Sequence, residues 1–260
     1  MFAAILICGT TVFTSCKSDD DKDPVINNLA EKMIGKWIYA ERNGEATPTN
    51  KKRVYTFLSA TKAYVSAAHS MDTKWLDHTE ADVAISGNTV TLTMHLDEHT
   101  TMVDEFKVTA IDDTKFTAIL KVTVTVDGKV ERSSEKNIIL NKVKTDYKEA
   151  VLGLWECEGI SGGETFNDAN ARLEFFADGT YKYWRKNEVG EWEAVTTREF
   201  QDYFVDGTLL ATRWKNQGED ELREWWEIAS IADGQMVWTA LRQNTDKTTV
   251  QQGMKWVRIN

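Results

Sequence analysis

Along most of this chain apolar and polar residues alternate one by one, the two-residue period of a strand with one buried face. Thr79 to Ser86 puts Ala81, Val83 and Ile85 on one side. Gly87-Asn88 follows, a tight hairpin signal. Beyond it Val90, Leu92, Met94 and Leu96 face one way, while Thr89, Thr91, Thr93 and His95 face the other. In Phe116, Ala118, Leu120, Val122, Val124 and Val126 the period persists through six apolar positions. A helix could not hold those on one stripe. The same reading predicts strands over Lys36 to Glu41, Arg53 to Leu58, Lys62 to Ala68, Glu105 to Ile111 and Glu135 to Val143. These make eight strands in series, separated by turn signals such as Asp112-Asp113 and Asp127-Gly128.

The second half repeats the plan. Strands are predicted near Leu154 to Gly159, Ala171 to Phe176, Thr180 to Lys186 and Thr197 to Val205, then Leu209 to Trp214, Glu221 to Ser230, Gln235 to Gln243 and Gly253 to Ile259. Turns fall at Asp178-Gly179, Asp206-Gly207 and Asp233-Gly234. Each half opens on the same motif: Glu31 to Trp37 and Glu149 to Trp155 both place a Glu, two apolar residues and Gly-x-Trp at an offset of 118. A period that long means two copies of a whole domain. Before each motif the apolar spacing, as at Ile26, Leu29, Met33 and Ile34, suits a short helix. Pro24 and Pro48 both fall outside the predicted strands, as sheets require.

Eight up-and-down strands close naturally into a barrel, which removes exposed sheet edges. The expected architecture is all-β: two tandem eight-stranded barrels, over 26–144 and 145–260, each preceded by a short helix. At 260 residues there is room for two such cores. The net charge of -10 and the lack of a basic run argue against a nucleic-acid partner.

Gly-x-Trp at the start of the first strand of such a barrel, after a helical turn, resembles the lipocalin (calycin) signature. Gly35 with Trp37 and Gly153 with Trp155 carry it, over Leu29 to Val143 and Tyr147 to Asn260. The resemblance implies a basic residue of the last strand packed on each Trp ring: Arg258 for Trp155, Lys142 for Trp37. Lipocalin cysteines that pin the C-terminus are absent. The look is that of lipocalin-like lipoproteins of Bacteroides-type bacteria.

The N-terminus reads differently. An apolar run from Phe2, too short to span a bilayer, ends at Phe13-Thr14-Ser15-Cys16 and gives way to Lys17-Ser18-Asp19-Asp20-Asp21. Small residues before a Cys that closes an apolar run resemble a bacterial lipobox. Residues 1–15 would then be a lipoprotein signal peptide, Cys16 the acylated residue, and 16–25 an acidic flexible tether. The resemblance implies anchoring in outer-membrane lipid, at the cell surface or on the periplasmic face. The other reading is an ordinary secretory signal with an incidental thiol. Cys157, beside Trp155, reads as a small core residue.

Candidate chemistry is concentrated in the second half, which holds eight of the ten Trp residues. Strand parity puts Trp226 on one face with Glu224 and Ile228, and Trp225 on the other. Trp184 lies opposite Tyr181 and Tyr183. Trp184, Trp214, Trp225, Trp226, Trp238 and Glu224 are therefore the candidate ligand-binding residues, for a small apolar molecule or a carbohydrate. In the competing reading Trp fills a wide barrel and the outer rings are covered by the other domain. Glu224 in an apolar cup would have a raised pKa and could bond a ligand; at the rim it would stay wet. His95-Leu96-Asp97-Glu98-His99 does not converge two imidazoles on a strand end, so no metal is expected. No catalytic, phosphate-loop or dinucleotide motif occurs, and no cofactor is implied. The function expected is non-catalytic binding at the cell envelope. The alternative is an accessory subunit with filled barrels that docks on another envelope protein.

Overall fold

A computed structural model of the chain describes residues 26–67, 75–161 and 171–259. The lipobox, Cys16 and the acidic tether lie outside the described residues. A short helix α1 (Leu29–Met33) precedes β1 (Gly35–Arg42), β2 (Glu45–Ala46), β3 (Val54–Phe57), β4 (Lys62–Ala67), β5 (Leu76–Ser86), β6 (Thr89–His95), β7 (Thr100–Ile111), β8 (Lys115–Val126) and β9 (Lys129–Lys142). The second set is β10 (Gly153–Ser161), β11 (Ala171–Phe175), β12 (Tyr181–Lys186), β13 (Trp192–Ala194), β14 (Arg198–Asp206), β15 (Leu209–Asn216), β16 (Glu221–Ala232), β17 (Gln235–Gln243) and β18 (Thr249–Ile259). The protein is all-β, two barrels in tandem, and every pairing is antiparallel between neighbours in an up-and-down order.

The first barrel closes. β1 pairs with β9 from Trp37 opposite Lys142 to Arg42 opposite Ile138, completing a ring of eight with β2 as a hairpin spur. The alternating positions of β6 and β8 are its core: Val90, Leu92, Met94, Phe116, Ala118, Leu120 and Val122 are all buried. Large side chains occupy the interior, among them Tyr39, Tyr55, Phe106 and Phe116, with Phe106 and Phe116 ring centroids 5.6 Å apart. An ion pair sits among them. Arg53 donates to Asp104 at 2.9 Å, and the Tyr55 hydroxyl donates to the same oxygen at 2.7 Å. The pair balances its charge and satisfies one carboxylate oxygen, as burial demands, while Oδ1 of Asp104 is buried with no hydrogen-bond partner among the described residues.

The second sheet runs β13-β12-β11-β10-β18-β17-β16-β15-β14 and curls on itself without a continuous closing ladder. One bridge, Thr180 to Asp202, joins the two ends, supported by the Tyr203 N–H bonded to the Gly179 carbonyl at 2.8 Å. Beyond that point β13 takes the edge of β12, with Trp184 opposite Ala194 and Lys186 opposite Trp192. The expectation of a second short helix needs correction. There is a single turn, Val151 N–H to Tyr147 carbonyl at 3.0 Å, before Gly153 redirects the chain at φ 110. One such bond fixes too few residues to propagate a helix.

The barrels pack through Ile38 and Val54 of the first and Phe204, Leu209 and Ala211 of the second, with Trp75, Val143 and Trp225 against them. Asp206 is fully buried at this seam. It binds the Lys36 ammonium and accepts from the Ser66 hydroxyl at 2.7 Å. Between β1 and β3 a 3-10 turn (Thr49–Lys51) reaches across, where Thr49 accepts the Leu241 N–H at 2.8 Å.

Candidate functional site

The two Gly-x-Trp motifs end in the same geometry. Each indole N–H donates 2.7 Å to a carbonyl four residues earlier, Trp37 to Met33 and Trp155 to Val151. A cation covers each ring: Lys142 at 4.3 Å from the Trp37 centroid and Arg258 at 4.2 Å from that of Trp155. Gly35 and Gly153 have φ of 112 and 110, and a Cβ on either would meet that cation at 3.0 and 2.9 Å. These residues hold the barrel ends and lie outside the cavity described next.

Inside the second barrel lies a cavity of about 1140 Å³. Its floor is aromatic. Trp238 and Trp256 sit 4.7 Å apart centroid to centroid, Trp226 follows at 5.8 Å from Trp238, and Tyr181, Tyr183 and Trp214 line the wall. Alternation explains most of this lining. On β17 the inner face carries Met236, Trp238, Ala240 and then Arg242; on β16 it carries Leu222, Glu224, Trp226 and Ile228. Large rings leave space here because the sheet is splayed between β12 and β14, so the lumen is wider than a closed eight-strand ring.

Of the sequence candidates, Trp214, Trp226, Trp238 and Glu224 come together on this cavity. Trp225 does not. It faces outward into the seam between the barrels, where the other domain covers it. Trp184 is also on the outer face, opposite Arg172 and Ala194 and away from the cavity, alongside Trp192, whose ring carries Arg172 at 4.0 Å. Glu224 is not alone in an apolar cup. Arg242 bonds it at 2.6 Å while stacked 4.5 Å over Trp226, and the carboxylate side chain is 43% exposed. The acid is a wet, paired rim residue.

Sequence reasoning missed Arg198, Tyr181, Tyr183 and Trp256. The reason for Arg198 is a bulge. From Tyr203 and Val205, strict alternation would turn Glu199 inward. The register shifts between Arg198 and Phe200, leaving Glu199 as the extra residue. Arg198 therefore pairs with Asn216, follows Gln201 and Trp214 onto the inner face, and lines the cavity. Glu199 turns out to Lys215 at 2.8 Å. A bulge is the device that re-aims one side chain on an otherwise regular strand.

Arg198 lies between two rings, 4.8 Å from the centroid of Tyr183 and 5.0 Å from that of Trp214. It donates to the Tyr181 hydroxyl at 3.3 Å and the Gln201 amide oxygen at 3.0 Å. Burial lowers its pKa from the ordinary value, although a guanidinium stays charged at neutral pH. Burial raises that of Tyr181, which remains a neutral hydroxyl. Among the described residues no three His, Cys, Asp or Glu side chains converge as a metal site would need. His99 contacts Asp127 at 2.8 Å and His95 contacts Thr101 at 3.2 Å, on the exposed side of their hairpins.

No protein-family model and no curated protein matches the chain. Among solved structures, it is similar to a double mutant of Transferrin Binding Protein B, a vaccine antigen of Haemophilus parasuis, at 10% identity and a TM-score of 0.23. That likeness covers 86% of this chain and 44% of that one, so the chain spans less than half the length of the structure it matches.

Proposed function

We propose that this protein is a non-catalytic binding module of the cell envelope, anchored by acylated Cys16, whose second barrel receives a small ligand with an apolar or sugar body. One observation carries the reading: a cavity of about 1140 Å³ floored by closely packed, mutually tilted indoles, in a barrel that has the strand count to close but does not. Ligand sites of small-molecule size occupy roughly 300–1,000 Å³ and are mostly apolar with a few placed polar groups. The floor and the Glu224–Arg242 rim fit that description.

The test is a native mass spectrum of the protein purified from its own envelope. A reproducible added mass, lost on Trp226→Ala, supports the carrier reading. A bare chain that retains a second protein overturns it in favour of a docking subunit. Anchoring is checked separately: Cys16→Ala should release the protein from the membrane fraction, and retention there would remove the lipid anchor. Should any turnover of a bound ligand be detected, its loss on Glu224→Gln would overturn the non-catalytic part.

A further inference from the structure

The charge of the cavity wall is opposite to that of the chain. The chain carries a net -10, yet four arginines and two glutamates line the cavity: Arg185, Arg198, Arg223 and Arg242 against Glu219 and Glu224. Two of the four cations are neutralised. Arg242 bonds Glu224, and Arg223 bonds Glu221 at 2.5 Å. Arg185 and Arg198 make no ion pair with any described carboxylate; both instead lie over the ring of Tyr183, at 5.4 and 4.8 Å. Glu219, the remaining acid of the wall, accepts from the Asn216 amide at 2.7 Å and reaches neither.

The wall is also rich in donors that lack acceptors. Nε of Arg198 and the indole nitrogens of Trp238 and Trp256 are buried with no hydrogen-bond partner among the described residues. A half-buried guanidinium without a counter-charge is costly, and proteins ordinarily place a carboxylate beside it. Here the carboxylate that alternation would supply, Glu199, is sent outward by the bulge that brings Arg198 in. The exchange gives Arg198 two hydrogen bonds and two ring contacts but leaves it without a counter-charge.

We propose that the ligand is an amphipathic anion: a flat apolar body stacked on the indole floor, with a carboxylate or similar oxyanion received by Arg198 and screened by Arg185. The planar fork of a guanidinium matches two oxygens of one carboxylate, and clamping between Tyr183 and Trp214 holds the fork in place before the ligand arrives. Low dielectric in the cavity strengthens the contact, and the acidic exterior leaves the cavity as the local attractor for an anion. This proposal rests on the reading of the cavity as a ligand site.

The test uses two fluorescent probes with the same anilinonaphthalene body, 8-anilinonaphthalene-1-sulfonate and the uncharged N-phenyl-1-naphthylamine. Both are titrated into the whole mature protein and into Arg198→Met, with Trp226→Ala reporting binding in the cavity. Loss of a charged hydrogen bond predicts that Arg198→Met weakens the sulfonate probe roughly 10- to 100-fold while the neutral probe is unchanged. Two probes affected alike, or neither affected, would overturn the anion site and leave the cavity as a ligand site. If neither probe binds the parent protein, or binding survives Trp226→Ala, the cavity reading fails and this inference fails with it. Should near-UV circular dichroism show that Arg198→Met has lost its fold, Arg185→Gln and Arg198→Lys replace it. Each is expected to weaken only the sulfonate probe, and an effect on both probes counts against the proposal.

Discussion

The two barrels share a strand order and a signature, yet one is closed and packed while the other is split and hollow. The difference begins at one strand edge. In the first barrel the outer edge of β4 pairs with β5 from Lys62 opposite Asp82 to Ala67 opposite Leu76. In the second the matching edge of β12 meets β14 at one bridge only and gives the rest to β13. A strand has one free edge to give, so a hairpin inserted there competes directly with closure. The interiors follow. Where the ring is complete, Tyr39, Tyr55, Phe106 and the Arg53–Asp104 pair occupy the axis. Where it is splayed, rings of greater size line a wall instead of filling a lumen.

The ion pairs should separate the two barrels most sharply. Arg53→Met leaves Asp104 buried and unpaired, and should cost about 3–5 kcal/mol of unfolding free energy. Glu224→Gln at the wet rim of the second barrel should cost less than about 1 kcal/mol. Urea unfolding of both variants measures this, and equal losses would deny that the first interior is the tighter one. Aromatic deletion should follow the same order. Phe106→Ala creates a new void in a packed core and should lose about 3–5 kcal/mol. Trp226→Ala enlarges a void already present and should forfeit mainly the transfer part, about 1.5–3 kcal/mol.

A third contrast depends on pH. Burial, with Arg42 and Arg53 nearby, pulls the Lys136 ammonium of the first barrel down from 10.5 to about 8. Between those values the unfolded chain holds the proton that the folded chain has released. Stability from this group therefore rises with pH through that window, and below it the buried charge is a cost. Lys136→Met removes the cost, so it should exceed the parent in urea midpoint at about pH 7 and lose that advantage near about pH 10. A gap that stays constant across the window would place Lys136 in solvent.

Much of this contrast was invisible in the sequence, for a physical reason. Strand existence follows from alternation, so Phe116 to Val126 and Val90 to Leu96 read directly as a core face. Closure does not, because it depends on which of two polar segments takes the β12 edge, and Trp192–Ala194 has no periodicity long enough to read. Trp226 and Glu224 were reached by parity, which holds on β16 from Leu222 to Ile228. Arg198 was not, since one extra residue, Glu199, inverts the parity of everything before it. Trp225 was half legible: parity turns it outward, and of the two readings open for an outer ring, the seam decides for cover by the first barrel.

The smallest effect compares the barrels at the feature they share. Both signature indoles lie under a cation, but the cations are held differently. Arg258 donates to the Leu152 and Ala150 carbonyls at 2.7 and 2.8 Å, tying β18 to the turn that replaces the second helix. Lys142 donates to the Ile34 carbonyl alone, just past a helix whose last turn is closed by the Ile34 N–H on the Glu31 carbonyl. Losing a ring contact costs about 0.5–1 kcal/mol at such sites, and a charged bond adds to it. Arg258→Met should therefore destabilise by about 1–2 kcal/mol and Lys142→Met by less, read as urea midpoints. Arg258→Lys should recover the ring contact but only one of the two carbonyls, and fall between them. An equal cost for both Met variants would mean that the cation serves the indole alone. A larger cost for Arg258 would mean that, where the helix is missing, the arginine fork has taken over its work of closing the barrel end.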